Sequence, residues 1–338
     1  MKYSQILGHG MYVPPTVWTN KDLQTIMDTS DEWIQQRTGI KTRHWIDINT
    51  ATCTSDLALE ASNRALESAG VKKEEIDLLI LATLSPDHEF PGTACFLQSK
   101  LDIPGIPALD VRQQCTGFLY GMSIADQFIK TGTYKKVLVI GAETHSKGLD
   151  KSTRGRDVSV LFGDGAGAVV LGAVDGPAPR DASQLYSTSL HADGRFAKEL
   201  WVQEPGMERP GDTFDPAYVQ NLEQYPAMNG KAVFMHAVKR MPEVLMEGLA
   251  KSGHKLEDVD LFLFHQANLR INEMVAKQMG IPEEKVFNTI QEFGNTTAAT
   301  IPIGMSEAVR VGKLKKGMLV ASAAFGSGFT WASAVYRW

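Results

Sequence analysis
The chain has 338 residues, 43% hydrophobic and 22% charged, with a formal net charge of -5. That length fits about two domains or one large double-layered unit, the composition excludes general disorder, and the acidic balance gives no case for a nucleic-acid surface. The longest apolar runs, such as Leu78–Ala82 and Val137–Ile140, fall far short of the ~18 residues a membrane span needs. The opening Met1-Lys2-Tyr3-Ser4 lacks the apolar core of a secretory signal. Three cysteines are too few and too odd in number for a disulfide framework. A cytoplasmic, reducing setting is therefore expected, with at least one thiol free for chemistry.

Taken in chain order, Ser55 to Ala69 carries apolar residues at 57, 58, 61, 65, 66 and 69 and stops at Gly70, the spacing of an amphipathic helix. Ile76 to Thr83 is a nearly continuous apolar run, as expected of a strand covered on both faces. A helix over Gly117–Lys130 and a strand over Lys136–Ile140 follow. The same order then returns. Ala65–Gly70 and Glu74–Leu81 recur as Gly248–Gly253 and Glu257–Phe264, and Gly121-Met122-Ser123 as Gly304-Met305-Ser306, all at an offset of 183 residues. Both units end in a glycine-rich segment, Phe162-Gly163-Asp164-Gly165 and Phe325-Gly326-Ser327-Gly328. Alternating helices and buried strands, met twice, predict two similar α/β halves, residues 1–175 and 176–338, with a site where they meet.

Three segments carry chemistry. Cys115 lies between a short strand and a helix, where free amides and the helix dipole favour a thiolate and lower its pKa. Cys53 and Cys95 read as small apolar fillers. His265 falls where the strand Leu261–Phe264 ends, and strand C-terminal ends are where α/β sites are built. Asn295 follows Gly294 in a turn that leads into small residues. A cysteine, a histidine and an asparagine at such positions supply a nucleophile and two polar partners. Gly163-Asp164-Gly165-Ala166-Gly167 lacks the Lys-Ser/Thr ending of a phosphate loop and runs into a strand, so it reads as tight packing. Phe325–Gly328 offers a backbone N–H to an oxyanion. No metal-ligand spacing is visible among the cysteines and histidines.

These segments resemble β-ketoacyl-acyl carrier protein synthase III. The resemblance covers Cys115, His265–Ile271, Gly294–Ala299 and Phe325–Trp338, together with Asp28–Ile34, Arg37–Ile40, Arg154-Gly155 and Phe162–Gly167. It implies a thiolase-like fold of two pseudo-symmetric α/β halves in a five-layered α-β-α-β-α arrangement, and a homodimer. It also implies transfer of an acyl group from acyl-CoA to Cys115, then decarboxylative condensation with malonyl-acyl carrier protein. His265 and Asn295 would stabilise the enolate, and the amides of Cys115 and Ser327 the tetrahedral oxyanion. No permanently bound cofactor is implied; acyl-CoA is a substrate. By the same resemblance Trp33 and Arg154 sandwich the CoA adenine, Arg37 meets a CoA phosphate, and Arg270 belongs with these CoA contacts. Phe90 reaches the acyl pocket across the dimer, and Arg270 and Lys277 lie on the carrier-protein docking face.

The sequence departs from the family pattern at Arg112-Gln113-Gln114, at Ser327, at Lys231 and over 193–228. That last segment holds Trp201, Pro205, Pro210, Phe214, Pro216, Tyr218, Tyr225 and Pro226. It reads as an irregular excursion, either a cap on the substrate tunnel that changes acyl-chain preference or a plain surface insertion. A specialised relative serving secondary metabolism with another acceptor is the alternative enzyme reading, and a non-catalytic partner of a synthase complex the alternative of another class. A degradative thiolase would need a second, later cysteine, and none follows Cys115.

Overall fold
In the computed structural model, which describes residues 2–176, 182–208 and 224–338, the chain builds two large sheets around a shared layer of helices, with two further two-stranded ribbons. The first sheet comprises β1 (Lys2–Tyr12), β2 (Leu78–Ala82), β3 (Ala108–Val111), β4 (Lys136–Glu143) and β5 (Gly165–Asp175), in the order β1-β5-β4-β2-β3. The second comprises β6 (Gln184–Ala192), β7 (Leu261–Phe264), β8 (Leu319–Gly326) and β9 (Thr330–Arg337), in the order β7-β8-β9-β6. β2 runs parallel to β3 and β4, and β7 parallel to β8; β5 and β9 close the pattern antiparallel. The first sheet thus draws only on residues 2–175 and the second only on 184–337.

The two-residue period of a strand explains the layering. In β2, Leu79 and Leu81 pack with Leu57 and Ala61 of α1 (Thr54–Ala69) on the outer face. Ile80 points the other way, into a core shared by Phe118 and Met122 of α2 (Gly117–Lys130) and Met305 of α5 (Thr300–Arg310). β7 does the same in the second half. Leu261 and Leu263 join that central core, while Phe262 and Phe264 pack outward on α3 (Gly230–Ser252) and α4 (Leu269–Met279). The result is helix, sheet, helix, sheet, helix. Each buried Leu, Ile or Phe contributes roughly 1.5–3 kcal/mol relative to exposure, so the paired central helices anchor both halves at once.

The offset of 183 residues holds in three dimensions. Lys136 and Glu143 bound β4 as Leu319 and Gly326 bound β8. Short 3-10 turns, Gln114–Thr116 and Thr297–Ala299, lead into α2 and α5. Each turn opens on a non-glycine residue with left-handed backbone, Gln114 at φ 43 and Thr297 at φ 46. Such conformations cost of order 1–3 kcal/mol and persist where surrounding structure enforces them. The counterpart of Cys115 in the second half is Ala298.

Two smaller features concern the expectations above. Cys53 is the N-cap of α1, its backbone N–H donating to Asp56 Oδ2 at 2.9 Å. In the excursion, Leu200–Trp201 pairs antiparallel with Ala227–Met228; Pro210, Phe214, Pro216 and Tyr218 lie outside the described residues. Among the described residues no helix is long and apolar enough to cross a membrane.

Candidate active site
Cys115 is buried in the strained turn before α2. The second half closes on it from β8. A Cβ on Gly326 would lie 2.5 Å from Cys115 Cβ and 2.9 Å from Sγ, so only a glycine lets the strand end approach the sulfur so closely. The backbone N–H groups of Ser327 and of Cys115 itself act on the sulfur and favour its anion. The lowered thiol pKa expected from the helix N-terminus is nevertheless reversed. Burial, and then the charge of Glu143, push the Cys115 thiol up to about 12, because desolvation of a thiolate outweighs the local dipole here. The resting sulfur is held as a thiol.

His265 and Asn295 arrive from the second half. His265 follows β7, its backbone N–H donating to Ala323 O at 2.9 Å. Its Nδ1 is 2.7 Å from Thr300 Oγ1 at the start of α5. Its Nε2 is buried without a hydrogen-bond partner among the described residues. Burial lowers its pKa to about 3, so the ring is neutral and can act only as a neutral donor or acceptor. Asn295 is buried and held by its backbone: its N–H donates to Leu161 O at 2.8 Å and its carbonyl accepts from Gly163 N at 3.1 Å. Its Oδ1 accepts from Thr297 N at 2.8 Å, and Nδ2 has no hydrogen-bond partner among the described residues.

Glu143 was missed by the sequence reading, which ended its strand at Ile140. The carboxylate is fully buried at the end of β4. It accepts from Ser85 Oγ at 2.6 Å, Leu84 N at 3.1 Å, Thr83 Oγ1 at 3.1 Å, Ser85 N at 3.2 Å and, at 3.4 Å, Ala298 N. Burial still raises its pKa to about 7 against those hydrogen bonds. It ties the loop after β2 to the turn after Asn295. His145 was also missed. Its Nε2 is 2.7 Å from Thr297 Oγ1, and burial lowers its pKa to about 3.

Two cavities converge on Cys115. One, of about 420 Å³, is lined by Trp33, Arg37, Phe234, Asn268, Asn295 and Gly326 among others. The other, of about 450 Å³, is lined by Leu84, Gln114, His145, Trp201, Thr297 and Ser327 among others. Trp33 and Arg37 thus share a cavity with Cys115. Two guanidinium groups sit over the Trp33 ring, Arg37 at 4.5 Å and Arg156 at 5.1 Å. Arg156 was not foreseen. Arg154 instead pairs with Asp150 at 2.6 Å and lies 5.9 Å from the Tyr225 ring. Arg270 and Lys277 are both exposed on α4, two turns apart. Phe90 is 85% exposed on the loop after β2. Among the described residues no cluster of three or more His, Cys, Asp or Glu could hold a metal.

This architecture has close relatives. Residues 109–194 match the family model of 3-oxoacyl-(acyl-carrier-protein) synthase III, and residues 249–338 match the model of its C-terminal part. The chain is 45% identical over 336 residues to the β-ketoacyl-(acyl-carrier-protein) synthase III of Xanthomonas axonopodis pv. citri, covering 99% of this chain and 98% of the relative. It is 43% identical to synthase III 1 of Bacillus anthracis, with 98% of each chain covered. The crystal structure of the Aquifex aeolicus 3-oxoacyl-(acyl-carrier-protein) synthase III superposes with a TM-score of 0.87 at 43% identity, covering 99% of this chain and 100% of that one. The five-layered fold is therefore the thiolase-like one, and the chain belongs to the 3-oxoacyl-(acyl-carrier-protein) synthase III family.

Proposed function
We propose that the chain catalyses the decarboxylative Claisen condensation of an acyl-CoA with malonyl-acyl carrier protein that initiates fatty acid synthesis. The observation that carries this reading is the meeting of two cavities at Cys115, one of them shared with Asn295, while His265 Nε2 in the second half is buried without a partner among the described residues. The Cys115 sulfur attacks the acyl thioester carbonyl. The acyl group moves to sulfur, and CoA leaves with the thiol proton. The malonyl thioester then enters through the Trp33 cavity and loses CO2. Electrons from the breaking C–C bond pass to the thioester oxygen, where His265 Nε2–H and Asn295 Nδ2–H hold the enolate. Donors aimed at charge that exists only in the transition state lower the barrier without binding the ground state. The carbanion attacks the acyl-Cys115 carbonyl. The backbone N–H groups of Cys115 and Ser327 hold the resulting oxyanion, which collapses to expel the sulfur and form the β-ketoacyl product. Loss of CO2 drives the reaction, and no resident cofactor is needed.

Further roles belong to the same reading. Trp33 with Arg37 and Arg156 forms a stacking and phosphate-binding surface for CoA, and Arg154 closes on the adenine from the Asp150 loop. Arg270 and Lys277 offer positive charge to an acidic carrier protein. Phe90 reaches the acyl cavity of a second copy in a homodimer. The described part of the excursion covers the acyl cavity, consistent with Trp201, Val202, Pro205 and Pro226 lining it.

The test is intact-mass spectrometry after incubation with acetyl-CoA, beside Cys115→Ala, followed by malonyl-acyl carrier protein. One acyl group gained by the wild-type chain, absent in the variant and lost again as β-ketoacyl product forms, supports the reading. Condensation without a Cys115 adduct in single-turnover samples refutes it.

A further inference from the structure
The acyl cavity is not uniformly apolar. Gln114, the residue before the nucleophile, lines it, and among the described residues its carboxamide takes no hydrogen bond. His145 lines it too; its Nε2 is taken by Thr297 Oγ1, and Nδ1 has no partner among the described residues. Thr297 in turn is held through its backbone N–H by Asn295 Oδ1. This polar group therefore borders the reacting centre. The hairpin that supplies Trp201, Val202 and Pro226 gives the cavity its apolar wall. It is tied down over the site by the Ser327 hydroxyl, which donates to Leu200 O. Arg112 and Glu89 also line the cavity but pair with each other at 3.3 Å.

A plain alkyl group bound here would leave two polar side chains without partners, which a site tolerates poorly. We propose that the preferred acyl donor is a 3-oxygenated thioester, a 3-hydroxyacyl or 3-oxoacyl group. Its C3 oxygen bonds to His145 Nδ1 and the Gln114 carboxamide, and its alkyl tail lies on Trp201, Val202 and Pro226. The inference rests on the reading of Cys115 as acyl acceptor. A neutral oxygen is favoured over a carboxylate because the buried His145 ring stays uncharged and Arg112 is already paired. The imidazole serves either a hydroxyl or a carbonyl, since the Thr297 hydroxyl can donate to or accept from Nε2 and so leaves Nδ1 as donor or acceptor.

The experiment is a competition. The full-length protein is mixed with equal hexanoyl-CoA and 3-hydroxyhexanoyl-CoA, and the two acyl-Cys115 adducts are resolved by intact mass over time. The expected result is about tenfold faster transfer of the 3-hydroxyacyl group, the effect of one net hydrogen bond. His145→Leu and Gln114→Leu each bring the ratio toward one or below. The ratio is read within one sample, so partial unfolding of a variant cancels. Equal or faster transfer of hexanoyl by the wild-type protein overturns the proposal and leaves the acyl-cysteine reading standing. So does a ratio that neither substitution moves, for the two named residues. Absence of any adduct, with acetyl-CoA as well, overturns the acyl-cysteine reading and this proposal with it.

Discussion

The Thr300 hydroxyl lies 2.7 Å from His265 Nδ1 and 3.0 Å from Thr297 O. It has one proton, and for His265 to donate from Nε2 that proton must go to Nδ1. With the hydroxyl turned to Nδ1 rather than to Thr297 O, the threonine holds the ring proton on Nε2, as partners behind an imidazole commonly do. Thr300→Val keeps the shape and removes the proton. Malonyl decarboxylation by the acylated enzyme is expected to fall by about 10- to 100-fold, with a smaller effect on acylation. Thr300→Ser should restore most of it. Release of CO2 from acyl carrier protein-bound malonate measures both. Equal loss in the valine and serine variants would contradict the tautomer role.

Gly326→Ala forces a methyl group to within 2.5 Å of Cys115 Cβ. Both neighbours are buried strand and turn, so the overlap cannot be relieved by a flexible side chain. A stability loss of roughly 1–3 kcal/mol is expected, with acylation of Cys115 down at least about tenfold through displacement of the sulfur. Thermal unfolding and intact-mass acylation rates check the two effects.

The raised thiol pKa makes a pH prediction. With Cys115 near 12, its alkylation by iodoacetamide should climb throughout pH 7–10 without a plateau. Glu143 is negative above about 7 and disfavours a neighbouring thiolate. Glu143→Gln should therefore speed alkylation of Cys115 at pH 9, read by peptide mapping to separate it from Cys53 and Cys95. A plateau near pH 8 in the wild-type protein would sink this account.

The same carboxyl links pH to stability. Its folded pKa, about 7, is raised above the ordinary 4.5, so its contribution is fully present below about 4.5 and is lost as pH rises through 7. The difference in Tm between wild type and Glu143→Gln should accordingly shift against the wild type between pH 4.5 and pH 7.5. A difference that stays level across that window would show that the group does not titrate there.

Trp33 carries two guanidinium groups over its ring at the open cavity. Trp33→Ala should raise KM for acyl-CoA by about tenfold, as expected of a lost stacking surface, with a much smaller change in kcat. Steady-state kinetics with acetyl-CoA decide it. A drop confined to kcat would move Trp33 away from donor binding.

Much of this was legible because the relevant signals are local. The apolar run of β2 and the stop at Gly70 define elements within a few residues, and the offset between halves exposes the duplication without any contact information. Cys115, His265 and Asn295 stand out because each follows or precedes a readable strand or helix end. What stayed hidden depends on contacts distant in sequence. Glu143 looks like a polar strand end until Thr83, Ser85 and Ala298 are brought to it. His145 gains meaning only from Thr297. Arg154 and Arg156 are two residues apart; Arg154 is drawn to Asp150 and Arg156 overhangs Trp33, a choice no local signal marks. The thiol pKa was misread for the same reason. A helix N-terminus is visible in a sequence, whereas the depth at which it is buried is not.

Glu143 and Gly326 occupy equivalent ends of β4 and β8, and each faces the turn of the opposite half. One sister strand ends in a charged side chain, the other in a bare hydrogen. The bare end leaves a berth for sulfur; the charged end fills its berth and clamps an alanine turn in place. Together with the exchange of Cys115 for Ala298, this divergence gives one turn a thiol with room around it and its twin a clamp, so the fold keeps its symmetry while the two turns differ in chemistry.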